Sequence, residues 1–286
     1  MLNKKKKVDV LVIVTVMLML ITSITGILSM NFNHKWEFEN QYGHVVELYG
    51  YGIYSYDTYF KAPLNIGMDF TILLVVVPLL IFYYLQYYRK RCALTEMKMA
   101  SVYGVITYYA ASVCFGVTYN NLFLGYVVLF SIALFKTFWH IKDVRLQEGV
   151  SIGKGLTVFL CISGVSLFVA WFPDIVPTLF TGGTLPLIGT YTTEITYVLD
   201  MGIISPLIFT CLYYMKKKAP IGTIILDIIL CLCSVVGIMI IFQSICQKLS
   251  NAEMPLVVII TKALIFIILG AFSMYFRKKA HQELRK

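Results

Sequence analysis

What most constrains this chain is a succession of eight apolar runs, each about as long as a helix needs to be to cross a bilayer, separated by short polar or basic segments. They read as spans 8–30, 66–88, 99–118, 122–139, 155–172, 194–215, 221–245 and 255–276. Backbone in lipid must satisfy its own hydrogen bonds, which leaves helices or closed barrels, and none of these runs alternates like a barrel strand. The expected fold class is all-α: one polytopic helical membrane bundle over residues 1–286, with the lipid bilayer as its partner. Composition agrees, since 59% of the residues are apolar and 14% charged, a balance foreign to soluble domains.

A formal net charge of +9 would suit a nucleic-acid partner, but the bases cluster at the ends of the apolar runs, where they act as topology signals. Nucleic-acid binding is therefore not expected. All Lys and Arg except Lys35, Lys61, Lys248 and Lys262 fall in Lys4–Lys7, Arg89–Lys98, Lys136–Lys154, Lys216–Lys218 and Arg277–Lys286. Alternating spans put these five clusters on one face, which predicts a cell-membrane protein with both termini cytoplasmic. The first run reads as a retained signal anchor, with a cleaved signal peptide as the alternative. External loops are expected at 31–65, rich in tyrosine, and at 173–193, whose prolines and Gly182-Gly183 pair predict a folded-back lid, with a re-entrant segment as the alternative. The seven cysteines lie within spans or at their ends, so an exported disulfide framework is not expected.

The acids inside the runs are the first candidates for function. An ionised carboxylate at the centre of a span costs ~2.5–3.5 kcal/mol even on insertion scales, so it needs a partner, a wet pocket or a proton. Asp200 is one, with Thr196 and Tyr197 on its helical face as donors and Glu194 roughly 9 Å nearer the outside. Asp69 is another, near the start of its run, where an acid would also complement the helix dipole. Pro78 and Pro206 follow these acids and free backbone carbonyls, as in the broken helices of transporters. The third run carries Tyr108 on a stripe with Gly104, Ser112 and Tyr119, too polar for lipid, and leads into a turn that delivers Asn120 and Asn121. Asp227 and Lys262 carry opposite charges within spans, and counting rises predicts a structural ion pair between them.

No HExxH, Gly-rich phosphate loop or G-x-S-x-G is present. His34, Glu37 and His44 could together bind a metal, but on a tyrosine-rich loop their spacing reads as chance, so no metal, cofactor or catalytic group is expected. The leading expectation is a permease for a small solute or cation, with an outward-facing pocket built from Asp69, Asn120, Asn121, Glu194 and Asp200. A membrane sensor or partner subunit that recognises ligands through residues 31–64 is the alternative, and a lipid-modifying enzyme the third.

Three stretches also carry a likeness. Tyr119 to Ser131, Leu199 to Leu207 and the span from Asp69 to Pro78 together resemble a pattern in a family of bacterial multi-pass membrane proteins. The chain departs from that pattern at Tyr108-Tyr109-Ala110, where members usually have an asparagine. The resemblance implies membrane location and a bundle architecture, and no reaction.

Overall fold

The computed structural model describes residues 8–185, 188–251 and 256–285, with the backbone alone for 256–262. Lysines 4–7, Pro186 and the side chain of Lys262 lie outside that description. Among the described residues, seven helices are long and apolar enough to cross a membrane. They are α1 (Val10–Leu28), α2 (Lys61–Arg89), α3 (Ala93–Gly116), α4 (Phe123–Asp143), the stretch Lys154–Thr181 made of α5 (Lys154–Val169) and α6 (Phe172–Thr181), α7 (Ile195–Lys216) and α8 (Pro220–Leu249). Helix α9 (Leu256–Glu283) corresponds to the eighth expected run, whose first part is described by its backbone alone.

Local chemistry sets the boundaries. The Asp9 carboxylate caps α1 by accepting from the Leu11 N–H at 3.0 Å. Pro220 opens α8, where its missing N–H costs nothing. Helix α2 begins at Lys61, earlier than residue 66, because the backbone carbonyl and side-chain oxygen of Thr58 accept from Lys61, and the carbonyl also from Ala62. Asp69 is consequently two turns inside the helix and has no role as a first-turn acid.

The two proline-bearing helices share an irregularity. In α2 a π-helical turn runs over Ile72–Val76, and the N–H of Val77, just before Pro78, donates to the Ile72 carbonyl. In α7 the π turn is Asp200–Ile204, and the N–H of Ser205, just before Pro206, donates to the Asp200 carbonyl. Widening the helix there re-pairs backbone groups that proline would orphan, and such bulges recur at functional sites.

Helix α8 is the central staff. It packs against α2, α3, α7 and α9, and 67% of its apolar window is buried, against 28% for α4 at the rim. Small residues allow close crossings, as in membrane bundles generally: a Cβ on Gly237 of α8 would come within 2.8 Å of the Gly270 Cα of α9. Val76, Leu80, Val102, Ile106, Leu129 and Leu226 fill the core between the helices.

The fold is helical as expected, and the 31–65 segment adds one short hairpin to it: β1 (Trp36–Glu39) pairs antiparallel with β2 (Val45–Leu48), Trp36 opposite Leu48. One expectation is corrected. The first half of the expected 173–193 lid is helix α6 (Phe172–Thr181). Pro173 sits in its first turn, where proline is tolerated, and Gly182, at φ 66°, ends it. Pro173 thus starts a helix, and Pro177 lies within it.

The chain alternates between two ends of the bundle. At the hairpin end, the Asn40 amide donates to the Gly189 carbonyl at 2.8 Å and the Tyr59 hydroxyl to that of Ser250 at 2.8 Å. At the opposite end, the Asp9 N–H donates to the Tyr84 hydroxyl at 2.8 Å and the Ser151 N–H to Glu283 at 2.9 Å. Residues near both termini therefore share one end.

Candidate functional site

A cavity of about 280 Å³ opens between α2, α3, α7, α8 and α9. Lys61, Glu194 and Gln247 line it toward the hairpin end, and Tyr108, Asp200 and Val236 line it deep in the bundle. From Gln247 to Val236 the α8 wall rises roughly 16 Å. The walls are largely apolar and aromatic, with Phe60, Trp171, Tyr197 and Phe266 among them. This combination of apolar walls and a few polar groups is what small-molecule sites show.

Asp200 stands at the deep end, in the π turn of α7, 7% exposed. Its donor is Tyr108 of α3, at 3.1 Å from Oδ1. The donors expected from its own helix do not serve it: Tyr197 donates instead to Asp174 at 2.7 Å, and Thr196 lines the cavity. The reason is that the ring of Tyr197 stacks on Trp171 at 4.4 Å, which carries its hydroxyl toward α6.

Below Asp200 a smaller void of about 50 Å³ shares Tyr108, Asp200, Val236 and Phe266 with the larger cavity and continues to Ser163 of α5 and Cys233 of α8. The carboxylate thus stands at the junction of two spaces.

Glu194 immediately precedes α7 and pairs with Lys61 at 2.5 Å, both side chains largely buried. The same ammonium lies 4.1 Å from the centre of the Tyr191 ring, a cation–π contact worth more when desolvated. Among the described lining residues, three carboxylates (Asp174, Glu194, Asp200) face one ammonium, that of Lys61. Two buried donors on the wall, Asn65 Nδ2 and Trp171 Nε1, meet no hydrogen-bond partner of good geometry among the described residues, and the indole lies close to the Asp200 carboxylate.

Asp69 is elsewhere. It is fully buried and receives Tyr54 at 2.5 Å and Tyr109 at 3.2 Å. Gly26 of α1 presses on it so closely that a Cβ there would collide with Oδ2. This acid is enclosed by protein and ties the hairpin segment to α2 and α3. Asn120 and Asn121 are also outside the cavity: Asn120 accepts from the Leu122 N–H at 2.9 Å and closes the α3–α4 turn locally.

A latch joins the hairpin segment to the loop that presents Glu194. Asp57, fully buried, accepts from the Tyr191 hydroxyl at 2.6 Å and the Thr118 N–H at 3.0 Å. Burial raises its pKa to about 7, while those two donors and Lys61 oppose the rise. Burial and the adjacent Asp57 likewise push the Tyr191 hydroxyl upward.

At the other end of the bundle Asp227 is gripped by Arg277, at 2.8 Å and 3.2 Å, and by His281 at 2.6 Å. Arg277 also donates to Tyr83 at 2.8 Å and Ser101 at 2.7 Å. The partner expected from the sequence was Lys262, whose side chain is outside the described residues. Among the described residues the partners of Asp227 are Arg277 and His281.

Of the candidates read from the sequence, Asp200, Glu194, Tyr197, Thr196 and Tyr108 line one cavity, while Asp69, Asn120 and Asn121 do not. Lys61, Asp174, Trp171, Asn65 and Gln243 were missed. Gln243, Ser244 and Gln247 form a polar stripe at the end of an apolar run, a signal that was available. No protein-family model matches this chain, and no curated protein or solved structure matches it either.

Proposed function

We propose that this multi-pass membrane protein is a permease whose cavity takes up a small cationic solute, an organic ammonium rather than a bare metal ion. The observation that carries the reading is Asp200: a buried carboxylate with one tyrosine donor, set in a π turn at the deep end of an aromatic-lined cavity. The surplus of carboxylates over ammonium in the walls favours a positive guest, and aromatic faces favour a weakly hydrated one.

The basic clusters at the end opposite the hairpin support an orientation with that end in the cytoplasm and the cavity opening outward. Solute entering past Lys61 and Glu194 would exchange water for Tyr197, Trp171 and Asp200. The smaller void beneath Asp200 and the π turns beside Pro78 and Pro206 provide the places where α2 and α7 can bend to pass it on.

Uptake of radiolabelled tetramethylammonium, choline and sodium into vesicles holding the purified protein tests this. Saturable uptake of an organic ammonium, abolished in Asp200→Asn, is the expected result. Uptake by neither protein above protein-free vesicles would overturn transport and leave the hairpin segment as the place to look for a sensor or partner subunit.

A further inference from the structure

A third cavity, of about 510 Å³, lies at the end opposite the hairpin, where Arg277, His281 and Tyr83 form part of its lining. Its upper wall is apolar, formed by Val75 and Leu79 of α2, Ile238 of α8 and Met274 of α9. Its lower wall is basic, with Lys278 and Arg285 joining Arg277 and His281. Among the described lining residues there is no acid.

The charges there are not balanced. Arg277 and His281 are committed to Asp227, one carboxylate for both. Lys278 and Arg285 have no side-chain hydrogen bond or ion pair with any described residue. Arg285 and Arg277 also lie close enough to Lys98 of α3 for the like charges to oppose one another. Such a site gains from an anion, and one placed at the foot of an apolar trough gains most from an anion with a hydrocarbon tail.

We infer that this crevice is a binding site for an anionic phospholipid of the surrounding leaflet. The phosphate sits between Lys278 and Arg285, and an acyl chain lies along Val75, Leu79, Ile238 and Met274. The trough from Arg285 to Met274 rises roughly 16 Å along α9, a length that suits an extended acyl chain. Basic pockets between transmembrane helices are general headgroup sites. The guest would also close the crevice between α2, α8 and α9, and so brace the Asp227–Arg277 junction from outside.

The experiment is thermal unfolding of the purified full chain in detergent, with added phosphatidylglycerol, phosphatidylcholine or inorganic phosphate. Phosphatidylglycerol should raise the midpoint by several degrees and the other two should not. The double variant Lys278→Gln/Arg285→Gln should lose most of that rise, while Lys279→Gln, on an exposed neighbouring lysine, keeps it. Neither side chain is bonded to the fold, and Arg285 opposes Lys98, so the double variant should unfold in phosphatidylcholine no lower than the wild type. A rise of equal size in the double variant would overturn the site. So would an equal rise with phosphatidylcholine, and a full rise with inorganic phosphate would replace the lipid with a free anion.

Discussion

Tyr108 and Tyr109 are neighbours in α3, yet each serves a different acid: Tyr108 donates to Asp200 and Tyr109 to Asp69. Successive residues on a helix point about 100° apart, so a single helix reaches both proline-bearing helices. The two acids look alike in sequence and differ in surroundings. Asp200 borders open space, whereas Asp69 is sealed between Tyr54, Tyr109 and Gly26.

That difference predicts unequal effects of removing each hydroxyl. Tyr54→Phe and Tyr109→Phe should each destabilise by about 1–3 kcal/mol, because a sealed carboxylate loses a donor that water cannot replace. Tyr108→Phe should cost under about 1 kcal/mol, since water in the cavity can solvate Asp200. Thermal unfolding of the three variants in detergent checks the order. Equal losses in all three would mean that Asp69 is not sealed.

The Asp227 cluster gives a second test. Arg277→Met should destabilise by about 3–5 kcal/mol, because it leaves a buried carboxylate short of its main counter-charge. Asp227→Leu in the same chain should recover much of that loss, a coupling that a double-mutant cycle measures. Additive losses would show that the pair contributes no net interaction.

The latch at Asp57 predicts a pH dependence with a definite sign. Its folded pKa is raised to about 7 from the ordinary carboxylate value of 3.8, so the folded protein keeps a proton that the unfolded chain has lost. Stability therefore falls as pH rises from about 4 toward 7, and levels off above. Asp57→Asn should flatten that slope, leaving a midpoint at pH 7.5 above the wild type by several degrees. The variant keeps an acceptor for Tyr191. Unfolding midpoints across pH 4 to 8 measure it, and an unchanged slope in the variant would assign the dependence elsewhere.

Much of the architecture was legible because membrane helices are written as long apolar runs with basic ends. Where tertiary contacts decide, local sequence carries no signal. The start of α2 depended on Thr58, which reads as loop, and Phe172–Thr181 became helix because Pro173 falls in a first turn. Within the site, Asp200 and Glu194 stood out as acids in an apolar context, and Tyr108 as part of a polar stripe. Lys61 did not, because nothing local tells that a lysine at a helix start will meet Glu194, distant in the chain but 2.5 Å away. Arg277 was hidden in the same way among basic residues that looked like a topology signal.

The central claim is that the cavity binds a small organic cation through Asp200, and Trp171, stacked on Tyr197 in its wall, offers a direct reporter. With Trp36→Phe and Trp139→Phe removing the other two tryptophans, tetramethylammonium should change Trp171 fluorescence saturably. Asp200→Asn should weaken that binding at least tenfold, a loss of about 1.4 kcal/mol or more, while Asp69→Asn, if folded, leaves it unchanged. A folded Asp200→Asn protein that binds tetramethylammonium as tightly as its parent would contradict the account.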